Sequence, residues 1–84
     1  FPDSLFILKE KNSNLYGYYH YNGDNGLAVF STKERAVTFA EFLPPIDILA
    51  TTFNGALDIA KAIKHLTCIM LLDDLKNPLV HFVR

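Results

Sequence analysis

Three histidines and one cysteine are the side chains here best suited to hold a metal ion or attack a substrate: His20, His65, His81 and Cys68. His65 and Cys68 stand three residues apart, but a zinc site needs a second pair at comparable spacing, and none is present. His65 falls at the end of a helical pattern, where a cation complements the helix dipole. Cys68 opens an apolar run, in which a thiol behaves as a small hydrophobe of ordinary reactivity. Asp73 and Asp74 are adjacent, and on an extended chain adjacent side chains point to opposite sides, so they cannot work as a paired acid and base; they read as a solvated turn. The glycines Gly17, Gly23, Gly26 and Gly55 are scattered and form no phosphate-binding loop. These residues carry no catalytic constellation, no metal site and no cofactor site, and the expectation is a protein that is not an enzyme.

The tyrosines are more informative. In Leu15 to Tyr21, LYGYYHY, alternation places Tyr16, Tyr18 and His20 on one face of a strand and Leu15, Gly17, Tyr19 and Tyr21 on the other. A glycine inside a strand often marks a close approach by another element, so Leu15, Gly17 and Tyr19 are expected to face the helices. Tyr16, Tyr18 and His20 then become the candidate binding surface, because tyrosine gives contact area at small entropic cost. On this assignment Leu15→Ser or Tyr19→Ser unfolds the domain, whereas serines at Tyr16 and Tyr18 weaken only a dimer or a partner complex. Nucleic-acid-binding sheets also stack bases on aromatics but surround them with basic residues, and eight Lys and Arg against nine Asp and Glu exclude that surround.

The elements that must position these residues follow from periodicity and punctuation. Leu5 to Leu8 is a first strand and Asn12-Ser13-Asn14 a turn. Leu15 to Tyr21 and Leu27 to Phe30 form a hairpin around a slightly long, mobile loop, Asn22 to Gly26, with two Asn-Gly steps. Ser31 followed by Glu34 is a capping-box pattern, with Ser31 or Thr32 as the cap. Ala36, Phe39, Ala40 and Leu43 then share one face of a helix over about Thr32 to Leu43, stopped by Pro44-Pro45. Ile46 to Ala50 is a short strand. Asn54 caps a second helix to about Leu66, with Ala56, Ile59, Ala60, Ile63 and Leu66 on its apolar face. Ile69 to Leu72 is apolar on both faces, the mark of a central strand covered on both sides, and Leu79 to Val83 is the last strand. The expected fold is a single small α/β (α+β) domain, a mixed β-sheet of order β-β-β-α-β-α-β-β with two helices packed on it.

Composition bounds the rest. The chain has 84 residues, half hydrophobic and a fifth charged, which suits one globular domain and argues against disorder. Its formal net charge of −1 gives no field that would steer it to nucleic acid or an anionic membrane. No apolar run approaches the roughly 20 residues that cross a bilayer. A lone cysteine excludes an intrachain disulfide and favours a reducing compartment, read as cytoplasmic. A start at Phe1-Pro2 reads as an excised or processed piece of a longer chain.

The run GLAVFSTKERA at Gly26 to Ala36, with Gly55-Ala56-Leu57 opening a second helix and an apolar strand at Ile69 to Leu72, resembles the N-terminal domain of SseB-type proteins. Asp73-Asp74 follows the late strand, where that pattern would place an Asn-Pro-Gly-like step, and Asn77-Pro78 comes later. The resemblance implies a fold and supplies no catalytic motif. The expected function is a non-catalytic protein-interaction or accessory module, SseB-like, acting on a protein partner or as a homodimer. The alternative is a small-molecule sensor or regulatory domain working as a dimer, its ligand in the dimer interface or under the Asn22 to Gly26 loop.

Overall fold

The computed structural model describes residues 1–84. Six strands and two helices follow one another as β1 (Ser4–Glu10), β2 (Tyr18–Tyr21), β3 (Asp24–Phe30), α1 (Lys33–Ala40), β4 (Ile46–Thr52), α2 (Phe53–Ala62), β5 (Cys68–Leu71) and β6 (Leu79–Phe82). The sheet runs β4-β1-β3-β5-β6, with β2 also paired to β3. β3 and β5 are parallel neighbours and every other pairing is antiparallel, so the sheet is mixed and β5 is interior, as the sequence predicts.

The two helices cover opposite faces. The α2 face holds Leu5, Ile7, Leu27, Val29, Ala56, Ala60, Leu66, Ile69 and Leu71, and the α1 face holds Leu8, Ala28, Phe30, Ala36, Cys68, Met70 and Leu72. Topology dictates this arrangement. The connection β3-α1-β4 crosses the sheet past β1 in one direction, and β4-α2-β5 crosses back past β1 and β3 in the other. Two right-handed crossovers running in opposite directions must place their helices on opposite faces.

Local chemistry shifts several boundaries. β2 is shorter than Leu15 to Tyr21, because the chain first pairs with β1: Gly17 N–H donates to the Leu8 carbonyl at 2.8 Å and Lys9 bridges to Tyr16. The Gly17 carbonyl then accepts from Ala28 N–H at 3.1 Å, and from Tyr18 the chain runs along β3. The expected long loop is a tight turn instead, with Tyr21 opposite Asp24 and only Asn22-Gly23 between them at φ 54° and 86°. Positive φ at both central residues belongs to the two-residue hairpin turn for which Asn-Gly is the favoured pair. Gly26, the second Asn-Gly step, lies inside β3, where a Cβ would sit 2.5 Å from Met70 Cγ and 2.9 Å from Cys68 Sγ.

The helix starts differ as well. Thr32 caps α1, accepting from Arg35 N–H at 3.3 Å, which makes Arg35 the third helical residue and leaves Glu34 out of position for a capping box. α1 ends at Ala40, short of Leu43, with Glu41 as its C-cap donating its N–H to the Val37 carbonyl at 3.1 Å. Thr52, not Asn54, caps α2 by accepting from Gly55 N–H at 3.0 Å, and β4 runs directly into that cap. Ile63 at φ −103° and ψ 105° ends α2 well before Leu66. Thr32→Ala and Thr52→Ala are each expected to lower stability by about 0.5 to 2 kcal/mol, with Asn54→Ala nearly neutral, read from denaturation midpoints.

Candidate functional site

Ser31, at the junction of β3 and α1, fixes the geometry of one end of the sheet. Its N–H donates to Asp73 Oδ1 at 3.0 Å and its hydroxyl donates to Asp73 Oδ2, while Arg35 Nη1 donates to the Asp73 carbonyl at 2.9 Å. Asp73 follows the parallel partner β5, so this one residue ties the exits of both parallel strands to the first turn of α1. It is half-buried and structural, not the solvated turn the sequence suggests. Asp74 faces elsewhere, accepting from Lys76 N–H at 3.0 Å.

Beside this bracket a cleft of about 540 Å³ opens between α1 and the β5-β6 turn. Phe30, Phe39 and Leu72 give it apolar lining, and Glu34, Arg35 and Asp73 give it charged lining. Phe42, Leu43 and Leu75 also line it, and Phe42 is 87% exposed, the most exposed large apolar side chain in the chain. Sequence reading missed this group. The available signal was Phe42 itself, a large aromatic off the Ala36/Phe39/Ala40/Leu43 face and two residues before the first proline.

A second cleft of about 550 Å³ lies at the opposite end of the sheet, where the chain passes from β1 to β3. Leu8, Leu15, Tyr16, Tyr18, Ile63 and His65 are among the residues that line it, and Phe39 and Leu43 line both clefts. Neither cleft includes a residue of the Asn22–Gly26 segment.

The candidate tyrosine surface is only partly a surface. Tyr16, Tyr18 and His20 do share one face, but it is the face that α2 covers. Tyr16 is half-buried against the core there. Tyr18 is 55% exposed and meets the His65 ring edge-on at a centroid distance of 5.1 Å. His20 is exposed, its Nδ1 2.8 Å from Asn25 Oδ1. On the other face Tyr19 packs toward α1, 6.3 Å from Phe39, so its expected helix-facing position is correct. Leu15 is not in the core: it is 64% exposed. The close neighbour of Gly17 is a strand residue, Leu8, whose Cβ would lie 2.9 Å from an added methyl.

His65 and Cys68, three residues apart in sequence, belong to opposite faces. His65 stands beside Tyr18, whereas Cys68 is buried in the α1-face core with its thiol 3.7 Å from the Asn25 carbonyl. Burial pushes the Cys68 thiol above its ordinary pKa, opposed by a hydrogen bond with Thr67 and reinforced by the Asp24 carboxylate. A buried, protonated thiol is a poor nucleophile. His81 lies in a third place, between Phe53 and Phe1 at ring distances of 5.2 and 6.1 Å. No helix is long and apolar enough to cross a membrane. Comparison of the chain with protein-family models, curated proteins and solved structures gave no match.

Proposed function

We propose that this domain is a non-catalytic protein-interaction or accessory module of SseB-like type, working in a reducing, cytoplasmic setting through the cleft beside α1. The observation that carries the reading is the apolar lining of that cleft, in which Phe42, Leu43 and Leu75 stand exposed instead of packing into the core. A monomeric surface gains nothing from gathering such side chains, and contiguous exposed apolar groups are what binding surfaces use. The occupant that fits is a peptide segment of a partner with a bulky apolar anchor, laid along the cleft as an amphipathic helix lays its apolar face into a groove. Arg35, held by the Asp73 carbonyl and lining the same cleft, offers an acceptor on that segment a donor.

The small-molecule reading has one observation in its favour. The cleft lined by Tyr16, Tyr18 and His65 has the volume of a ligand site and combines apolar walls with a few polar groups. Selection from a displayed random-peptide library, run beside a thermal-shift screen of metabolites, separates the two. The interaction reading expects enriched peptides with large apolar anchors whose binding falls at least tenfold in Leu75→Glu and Phe42→Ser, with no metabolite raising the melting temperature. Failure of the library to enrich, together with stabilisation by one ligand class that Tyr18→Ser abolishes, would replace it with the sensor reading.

A further inference from the structure

β4 is the outer strand of the sheet, and its backbone points half of its hydrogen-bonding groups away from the protein. Phe53 N–H donates to the Asp3 carbonyl at 3.0 Å, which extends the β1–β4 register by one pair and sets its alternation. In an antiparallel ladder alternate pairs exchange both hydrogen bonds, so Leu5/Thr51, Ile7/Leu49 and Lys9/Asp47 are the bonded pairs. Leu8 and Glu10 confirm the alternation from the other side, because their backbone groups turn away from β4 to bond Gly17 and Leu15. Ile46, Ile48, Ala50 and Thr52 therefore direct their N–H groups, and the first three also their C=O groups, to the open edge. The Thr52 carbonyl turns to the first turn of α2 as its cap.

Sheet edges that stay unpaired are commonly guarded by lysine, proline, a bulge or shortness. β4 carries none of these within its seven residues, IDILATT, and its single charge is Asp47. We propose that β4 is a homodimer interface, in which two copies pair their β4 edges antiparallel about a two-fold axis at Leu49 and continue one sheet through both molecules. This deepens the interaction-module reading by naming one partner, and it makes no use of the cleft beside α1.

Self-complementarity of this edge is the argument for a second copy over an unrelated strand. With the axis at Leu49, Ile48 meets Ala50 of the other copy twice over, which forms four interchain hydrogen bonds. Thr52 N–H meets the Ile46 carbonyl twice, which forms two more. Leu49, 38% exposed, lies across from itself in the close, non-bonded type of pair, where side chains touch. Asp47 faces Thr51 and never its own copy. Slipping the register in one direction sets Pro44 and Pro45, which have no N–H, or Asp47 itself opposite the strand. Slipping it in the other direction runs Ile46 or Ile48 past the end of β4 into α2. A net charge of −1 leaves little repulsion between copies. A seven-residue edge is a small contact by the standard of stable interfaces, so the dimer forms at high concentration and dissociates on dilution.

The test is sedimentation velocity of the whole chain from about 10 μM to about 1 mM, a range that brackets weak association. Hydrogen exchange is followed at both ends of the range. The wild-type average mass is expected to rise toward twice the monomer, with the Ile48 and Ala50 amides becoming protected as concentration rises. Ala50→Pro removes an outward N–H that β1 does not use, so the fold is expected to persist while association falls at least tenfold. Leu49→Lys, which sets like charges across the axis, provides the same test if the proline variant does not fold. A wild type that stays monomeric throughout overturns the proposal. So does a dimer that survives Ala50→Pro and Leu49→Lys, and if Phe42→Ser dissolves that dimer, the cleft beside α1 is the interface instead.

Discussion

Leu27→Ala is expected to cost about 3 to 5 kcal/mol, whereas Leu15→Ser is expected to cost less than about 0.5 kcal/mol. Leu27 is fully buried in β3 among Leu5, Val29, Ala56, Ala60 and Ile69. Its neighbours belong to the strands of the sheet and to a helix that meets them through small alanines, so they cannot collapse into the space vacated by the three carbons lost. The penalty is therefore lost transfer energy plus a residual cavity, at the upper end of the range for such truncations. An 84-residue domain has roughly 4 to 12 kcal/mol of total stability, so the truncation removes a quarter of it or more. Leu15 is also a leucine in a β-prone run, but its side chain is mostly in solvent and its structural role is its carbonyl, which accepts from Glu10 N–H at 2.8 Å. Serine keeps that carbonyl. Urea denaturation of the two variants decides the matter: a Leu15→Ser midpoint that falls as far as that of Leu27→Ala would mean the chain between β1 and β2 packs inward.

That contrast shows what the sequence carried. Alternation correctly put Tyr16, Tyr18 and His20 on one face, because alternation is local to a strand. Which face a helix covers is not local. It depends on β1 lying between β4 and β3, which sends the two crossovers in opposite directions and puts α2 over the tyrosine face. The same distinction governs Gly17, where a close neighbour was legible but its identity was not: the element is β1, reached by the chain folding back at Asn12 to Asn14. The order of elements, the central strand and the helical faces of Ala36 and Ala56 were legible from period and punctuation. Helix ends were less so, since Ile63 and Leu66 keep the helical period while packing against the same core from a turn. The cleft beside α1 depends on the β5-β6 turn reaching α1, a contact between residues about forty positions apart that no local pattern encodes.

That long-range contact makes Asp73 the second residue with a large expected effect. Asp73→Ala is expected to cost about 2 to 3 kcal/mol, because it removes both acceptors of Ser31 and leaves the Ser31 N–H without a partner at a half-buried junction. The ion pair with Arg35 adds little, since Arg35 Nε is 4.0 Å from Asp73 Oδ1 and the arginine is largely exposed. The Arg35 bond to the Asp73 carbonyl survives the substitution, because it uses the main chain. Ser31→Ala should cost only about 1 kcal/mol, since it loses the hydroxyl bond and keeps the N–H bond to the carboxylate. Asp73→Asn keeps one oxygen acceptor and should fall between them. The double variant is expected to be less destabilised than the sum of the two alanine variants, by about 0.5 kcal/mol or more, because both remove the same hydroxyl bond. Loosening this junction also frees the wall of the cleft formed by Asp73 and Leu75, so peptides selected on the wild type should bind Asp73→Ala more weakly even under conditions where it is fully folded. Strict additivity of Ser31→Ala and Asp73→Ala, with peptide binding unchanged, would show that the bracket neither holds the strand exits together nor shapes the cleft.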